Sequence, residues 1–450
     1  MLARLLPLRV ILSTSVVLSA FVASVASAQE DNHPPKGFTA LFNGNDFDEW
    51  TGSITKDPKE LAAMSKEDRA AWDAKMKKGI HDHWHVDNGV LVSDGNPNFF
   101  LSTPKDYGDF EMWVDWKIEK NGDSGIYLRG VPQVQIWDPT NAGEFKNGCD
   151  KGSGGLWNNK KHERFPSEVA DKPIGEWNRM YIRMVGSYVT VKLNGKKVVD
   201  HVIMDNYYDK NSPVPMTGPI YLQTHTTKLN FRNVFVREIP AEEANRDLAE
   251  IKGDHAEFKP IFDGKDLAGW GGATKTYSVV DGTIKCTGGT HGNLLTDDTY
   301  DNFVVRLEYK LPPAGNNGLA IRAPMTQSDV AYEGMEVQVL DNTAPQYKDL
   351  HPYQFCGSLY GLAPALTGYL RPVGEWNYEQ VTVDGEHLTV ELNGYEILDT
   401  NIAKAAEQPM DGKKHPGAAR KEGHFGFLGH QDPVEFRNIR IKRLSSAKSS

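Results

Sequence analysis

The residues best suited to proton transfer lie in two polar stretches that resemble each other. One reads Tyr332-Glu333-Gly334-Met335-Glu336-Val337-Gln338-Val339-Leu340-Asp341, the other Val131-Pro132-Gln133-Val134-Gln135-Ile136-Trp137-Asp138. Side chains two apart on a strand share a face. Glu336 therefore points with Gln338, and Gln133 with Gln135, while Val337 and Val134 turn to the core. Asp341 and Asp138 fall at the strand ends, where a bulge or turn would bring them toward the same face. Arg322 and Arg129 lie on a neighbouring strand signal. Each stretch is followed by a histidine, in Leu222-Gln223-Thr224-His225 and in Phe427-Leu428-Gly429-His430-Gln431-Asp432. An unperturbed imidazole titrates near neutrality, so a histidine beside a carboxyl makes an acid–base pair. Glu336, His430 and Asp341 are the catalytic candidates. Arg322, Gln338, Arg129, Gln133, Gln135, Asp138 and His225 are the candidates for binding. The amide of Gln133 stands where the other stretch has the Glu336 carboxyl and takes no proton at working pH, so chemistry is expected at Glu336. A polar strand face is often only a solvated face; recurrence of Gln, Asp, Arg and His in register weighs for function.

No metalloprotease helix, nucleophile elbow or phosphate loop is present, and the metal content stays open. Three cysteines without close spacing, Cys149, Cys286 and Cys356, give neither a disulfide framework nor a zinc site. One disulfide or three free thiols both fit. No cofactor is required by these residues; a structural Ca2+ is left open.

What positions these residues is a duplicated unit. Leu41-Phe42-Asn43-Gly44 with Trp50 matches Ile261-Phe262-Asp263-Gly264 with Trp270. Tyr107-Gly108-Asp109-Phe110 matches Tyr300-Asp301-Asn302-Phe303, and Gly125 to Arg129 matches Gly318 to Arg322. Gly-Glu-Trp-Asn recurs at 175–178 and 374–377, Leu-Asn-Gly at 193–195 and 392–394, and Phe-Arg-Asn at 231–233 and 436–438. A period this long means duplicated domains, not a repeat array. The copies are expected over 36–240 and 255–445, joined by a charged, alanine-rich helical linker over 241–254. Alternation over 110–118 and 303–311 predicts strands. Asn194-Gly195 and Asn393-Gly394 predict hairpin turns, because both turn residues need positive φ. Many short strands between frequent turns describe an all-β protein of two β-sandwiches. A helical insertion over 57–78 has no counterpart in the second copy; it would cap an edge or border a cleft. Both Phe-Arg-Asn motifs read as structural.

Bulk properties exclude some classes. A net charge of −10 offers no basic field for nucleic acid or anionic membrane. Ten Trp and seventeen Tyr suit sandwich cores first and sugar stacking second. Residues 1–28 read as an export signal, with Arg4 and Arg9, an apolar run and Ala26-Ser27-Ala28 before Gln29. No later run is long and apolar enough to span a bilayer. A periplasmic or extracellular protein is expected, with the oligomeric state left open.

Taken together, the Phe-Asn-Gly-x-Asp-Phe-x-x-Trp start, Gly-x-x-Leu-Arg, Glu-x-Gln-x-x-Asp, Gly-Glu-Trp-Asn, Leu-Asn-Gly and Val-Glu-Phe-Arg-Asn-Ile-Arg-Ile resemble the 3-keto-disaccharide hydrolase domain family over nearly all of both copies. The resemblance implies two tandem concanavalin A-like jelly-roll sandwiches, each with a sugar-binding face. It implies a saccharide as partner and hydrolysis of 3-keto-glycosides as activity. It carries a site role to Glu336, Gln338 and Asp341, with Arg322 and His430 beside them, and in the first copy to Gln135, Asp138, Arg129 and His225. The first copy departs at Gln133. The second departs at Gly429-His430-Gln431-Asp432, where the family commonly runs Gln-Asp-His. Ordinary glycoside hydrolysis by Glu336 and Asp341, a non-catalytic lectin-like role and an adhesion module remain as other readings.

Overall fold

Each copy builds one large and one small antiparallel sheet packed face to face. The chain is described by a computed structural model over residues 31–445, apart from 226, 288–290 and 327–328. The expected export signal lies outside the described residues. In the first copy the small sheet runs in the order Thr51–Ser53, Phe100–Ser102, Tyr221–Leu222, Asp123–Leu128, Val131–Trp137. In the second copy it runs Trp270–Gly272, His291–Tyr300, Gly423–His430, Asn316–Ala323, Met335–Leu340. The large sheets centre on Phe110–Ile118 and Phe303–Lys310 and repeat each other strand for strand. The fold is therefore all-β, with two tandem jelly-roll sandwiches.

The recurrent motifs prove to be scaffold. Phe231 and Phe436 are fully buried, each worth roughly 1.5–3 kcal/mol relative to exposure. Asn233 and Asn438 sit at φ 52° and 53°, where the register to the central strand slips. Their side chains donate to Asp115 and to Glu308 on that strand, which pins the bulge. Arg232 and Arg437 stack on Trp177 and Trp376 of the Gly-Glu-Trp-Asn motifs, 4.3 and 4.0 Å from the ring centroids. Both Asn-Gly turns form with positive φ at both residues, as the sequence predicts.

The insertion forms two helices, Pro58–Ala62 and Lys66–His83, longer than expected because the helix runs directly into the next strand. It packs on the first copy's small sheet: the backbone of Met76 lies where a side chain on Gly52 would be, and the Phe99 ring lies against Gly79. The linker helix spans Ala241–Glu250 and buries Ala244, Asn245 and Leu248 between the domains. Asn245 bridges to Glu308 and to the Trp376 carbonyl at 3.2 Å each. All three cysteines are buried, and Cys149 and Cys356 are free thiols.

Candidate active site on the second small sheet

Glu336 and Gln338 leave the sandwich on its outer face, because Met335, Val337 and Val339 fill the core between them. The edge of their strand is not open. Gln338 N–H donates to the Ser358 carbonyl, and the Gly357 and Tyr360 amides donate back to Gln338 and Glu336 carbonyls. This folded-over loop satisfies the edge and brings Tyr360 beside Glu336. Glu336 is paired in the ladder with Ala320, and a Cβ on Gly318 would overlap its Oε1. The glycine is what leaves room for the carboxyl.

His430 Nε2 stands 4.0 Å from Glu336 Oε1. The carboxyl is 4 % exposed and the imidazole 40 %, so the histidine is the solvent-facing member. Glu336 Oε1 has no hydrogen-bond partner among the described residues. Burial, with Asp329 nearby, pushes its pKa up to about 8. Burial and the neighbouring His291, edge-on at 5.8 Å, push His430 down. At neutral pH the pair therefore rests as a neutral acid and a neutral base. Gln338, on the same face, accepts at Oε1 from the Val339 amide at 3.1 Å.

The other expected residues lie elsewhere. Asp341 is a turn cap: Oδ1 accepts from Thr343 N and Oγ1 at 3.0 and 2.6 Å, and Oδ2 accepts from the Ala314 amide at 2.8 Å. Asp138 does the same with Thr140 and Asn121. The expected bend toward the site does not occur, because these carboxylates close their own loops. Arg322 and Arg129 are buried clamps at the sandwich end. Both sit at positive φ, 48° and 54°, after a register slip that swings the side chain off the outer face. Arg322 donates to Asp301, Gly385 and Arg420 carbonyls and to Asn302 Oδ1. Arg129 donates to Gly108, Gly186 and Pro215 carbonyls, to Asp109 and to the Tyr395 hydroxyl of the second copy.

The first copy's corresponding face is filled. Tyr127 and Tyr221 occupy the paired ladder positions that Ala320 and Gly426 hold in the second copy. With Phe100 they form a buried aromatic cluster, tied to the segment that leads into the insertion by a 2.6 Å contact between the Tyr127 and Thr55 hydroxyls. Gln133 donates to Gln135 at 2.5 Å, and Gln135 to Asp123 at 2.7 Å. His225 Nδ1 lies 3.3 Å from Asp123 Oδ2, and that carboxylate raises its pKa. Gln133 thus bonds to Gln135 and Gln135 to Asp123, and His225 is ion-paired with Asp123, while Gln133 Oε1 has no hydrogen-bond partner among the described residues. The two faces therefore differ as the sequence comparison expects at Gln133: the second has a carboxyl beside small ladder residues, the first an amide beside two tyrosines.

Sequence reasoning missed Asp123, His291, Asp329 and Tyr360. Tyr360 had a signal: Leu359-Tyr360 stands where the first copy has Leu156-Trp157, and both pair with the strand in the same way.

Comparison with known proteins agrees with this repeat. A sequence profile described as the 3-keto-alpha-glucoside-1,2-lyase-like domain matches residues 37–237 and 257–442. A 3-keto-disaccharide hydrolase of Bacteroides thetaiotaomicron is 29 % identical over 249 residues, covering 45 % of this chain and 83 % of that protein. Among solved structures, a "putative glycosyl hydrolase" from Parabacteroides distasonis is 26 % identical with a TM-score of 0.38, over 42 % of this chain and 99 % of that one. A second from that organism, also 26 % identical, has a TM-score of 0.37 over 43 % and 97 %. The two profile matches take in most of both sandwiches, and the chain belongs to the 3-keto-alpha-glucoside-1,2-lyase-like domain family, with the domain present twice in tandem.

Proposed function

We propose that this chain is an exported hydrolase of 3-keto-glycosides whose second domain carries out the chemistry. The observation that carries the reading is the buried Glu336 carboxyl facing the part-exposed His430 imidazole across 4.0 Å. Family membership and the name of the Bacteroides relative support the substrate class; the signal-like residues 1–28 support export.

A ketone at C3 acidifies the proton on C2. In this reading the neutral His430 takes that proton, and the electron pair moves onto the C3 oxygen. The neutral Glu336 carboxyl donates a hydrogen bond to that oxygen, as a carboxylic acid kept protonated by burial can do. Collapse of the enediolate expels the C1 substituent, whose oxygen takes the proton from imidazolium. Water then adds at C1 with a proton returning to C2, so the net change is hydrolysis. Gln338 orients the sugar. Direct glycoside hydrolysis needs two carboxyl groups flanking the bond, and Asp341 is committed to its own turn.

The test is release of glucose and 3-ketoglucose from a 3-keto-disaccharide in deuterated water, beside the unoxidised parent sugar. Turnover of the keto sugar alone, with deuterium at C2 of the product, is expected. Replacing Glu336 by Ala or His430 by Ala lowers kcat by about 10²–10⁴-fold, the usual worth of an oxyanion donor or a positioned base. Equal cleavage of the parent sugar, or full turnover by both variants, would overturn the proposal; binding of both sugars without turnover would make the protein lectin-like.

A further inference from the structure

A cleft of about 980 Å3 opens between the two domains, away from Glu336. One wall comes from two first-domain loops that carry Trp157 and Tyr207. The other comes from the second-domain hairpin that carries Glu391 and Glu396. The volume lies at the upper end of small-ligand sites, roughly 300–1,000 Å3.

The lining has the chemistry of a carbohydrate site. Tyr207 is 46 % exposed and is braced edge-on by Tyr208, with centroids 5.0 Å apart. Trp157 is steadied by the Arg164 guanidinium 5.3 Å from its ring centroid. Such rings offer flat apolar faces with a polar rim, which suits the C–H face of a pyranose. Asn158 Nδ2, Ser187 Oγ and Tyr208 Oη, all in the wall, have no hydrogen-bond partner among the described residues. Unpaired buried polar groups are uncommon and invite an explanation. The lining carries both signs: Arg164, Lys160, Lys161, Lys210 and Asp205 come from the first domain, Glu391 and Glu396 from the second. Such a mixed lining offers no uniform field to a charged ligand, whereas hydroxyl groups can donate to the carboxylates and accept from the cations.

We propose that this interdomain cleft is a second saccharide site, separate from the Glu336 face, and that it takes a neutral oligosaccharide. It exists only because the domain is duplicated: Trp157 holds the ladder position that Tyr360 holds beside Glu336, but here it lines a cleft shared with the other domain.

The test uses the full chain with short cello-, xylo- and malto-oligosaccharides as probes, and reads binding, so it is independent of whether Glu336 turns over a keto sugar. At least one series is expected to slow hydrogen–deuterium exchange over 157–164 and 207–213. Tyr207→Ala removes an exposed ring and is expected to weaken that series about tenfold by calorimetry, with Glu396→Gln as a second variant that leaves the first-domain loops untouched. The proposal is overturned if no series binds, if protection is confined to 335–340 and 423–430, if both variants bind as the wild type does, or if an acidic oligogalacturonide binds more tightly than every neutral series.

Discussion

At Glu336 the same burial that readies a proton also costs stability. The chemistry proposed needs His430 unprotonated and Glu336 protonated. Because His430 is pushed down and Glu336 up to about 8, the active form spans a pH window between them. The kcat profile against pH is expected to be a bell, with the alkaline limb near 8 belonging to the pair and the acid limb below the ordinary histidine range. An acid limb at or above that range would contradict the assignment. Linkage gives a second prediction. A carboxyl whose folded pKa is raised contributes stability that is fully present below its unfolded pKa, near 4.3, and is lost as pH rises through about 8. Glu336→Gln is therefore expected to raise the thermal midpoint at pH 8–9 and to change it little near pH 4. Comparing the copies made Glu336 and His430 legible in the sequence. The arginines were misread because a period-two argument cannot see the slip that turns Arg322 and Arg129 away. Asp341 and Asp138 carried a turn signature, Asp with Thr two residues on, that was outweighed by their place beside the site strand.

Among the elements, the strand Asn316–Ala323 does the most to set the site. Its small residues, Gly318 and Ala320, make the space into which Glu336 projects. Gly318→Ala is expected to push the carboxyl aside, costing about 1–3 kcal/mol by overpacking and lowering kcat more than it raises KM. Steady-state kinetics together with denaturant unfolding checks both; a variant with full kcat would show that Glu336 has another place to go. The copy-one strand keeps the glycine, Gly125, against Gln133, but Tyr127 and Tyr221 fill the neighbouring positions. Strand signals and hairpin turns were readable from alternation and from Asn-Gly. Closure of the first face was not, because it depends on long-range pairing of Tyr127 with Tyr221 and on where the inserted helices dock.

Across the whole molecule, the linker behaves as an interface element more than a tether. Leu248 is 1 % exposed and packs with Val185, Tyr188 and Tyr378 of the flanking domains. Asp109 binds Arg129, the Gly186 amide and, from the second domain, Arg371 at 3.3 Å. Leu248→Ala is expected to cost about 2–5 kcal/mol of coupling and to split one calorimetric unfolding transition into two; a single unsplit transition would mean that the sandwiches stay joined by their polar contacts alone. The duplication was readable from repeated motifs. The docking was not, because the residues that make it, Tyr395 and Arg371, lie where the copies differ.

That docking is directional. Arg129 of the first domain reaches the Tyr395 hydroxyl of the second, and the Ser187 amide donates to the Gly394 carbonyl at 3.1 Å. The counterpart of Arg129 is Arg322, and the residue after the first domain's own Asn-Gly turn, where Tyr395 would be, is Lys196. A recombinant gene with the two domain-coding halves in reverse order would thus bring a guanidinium against an ammonium where the natural order meets a phenol. The duplicated halves are alike in fold but have become a sequence with a reading direction, and neither can take the other's place in the chain.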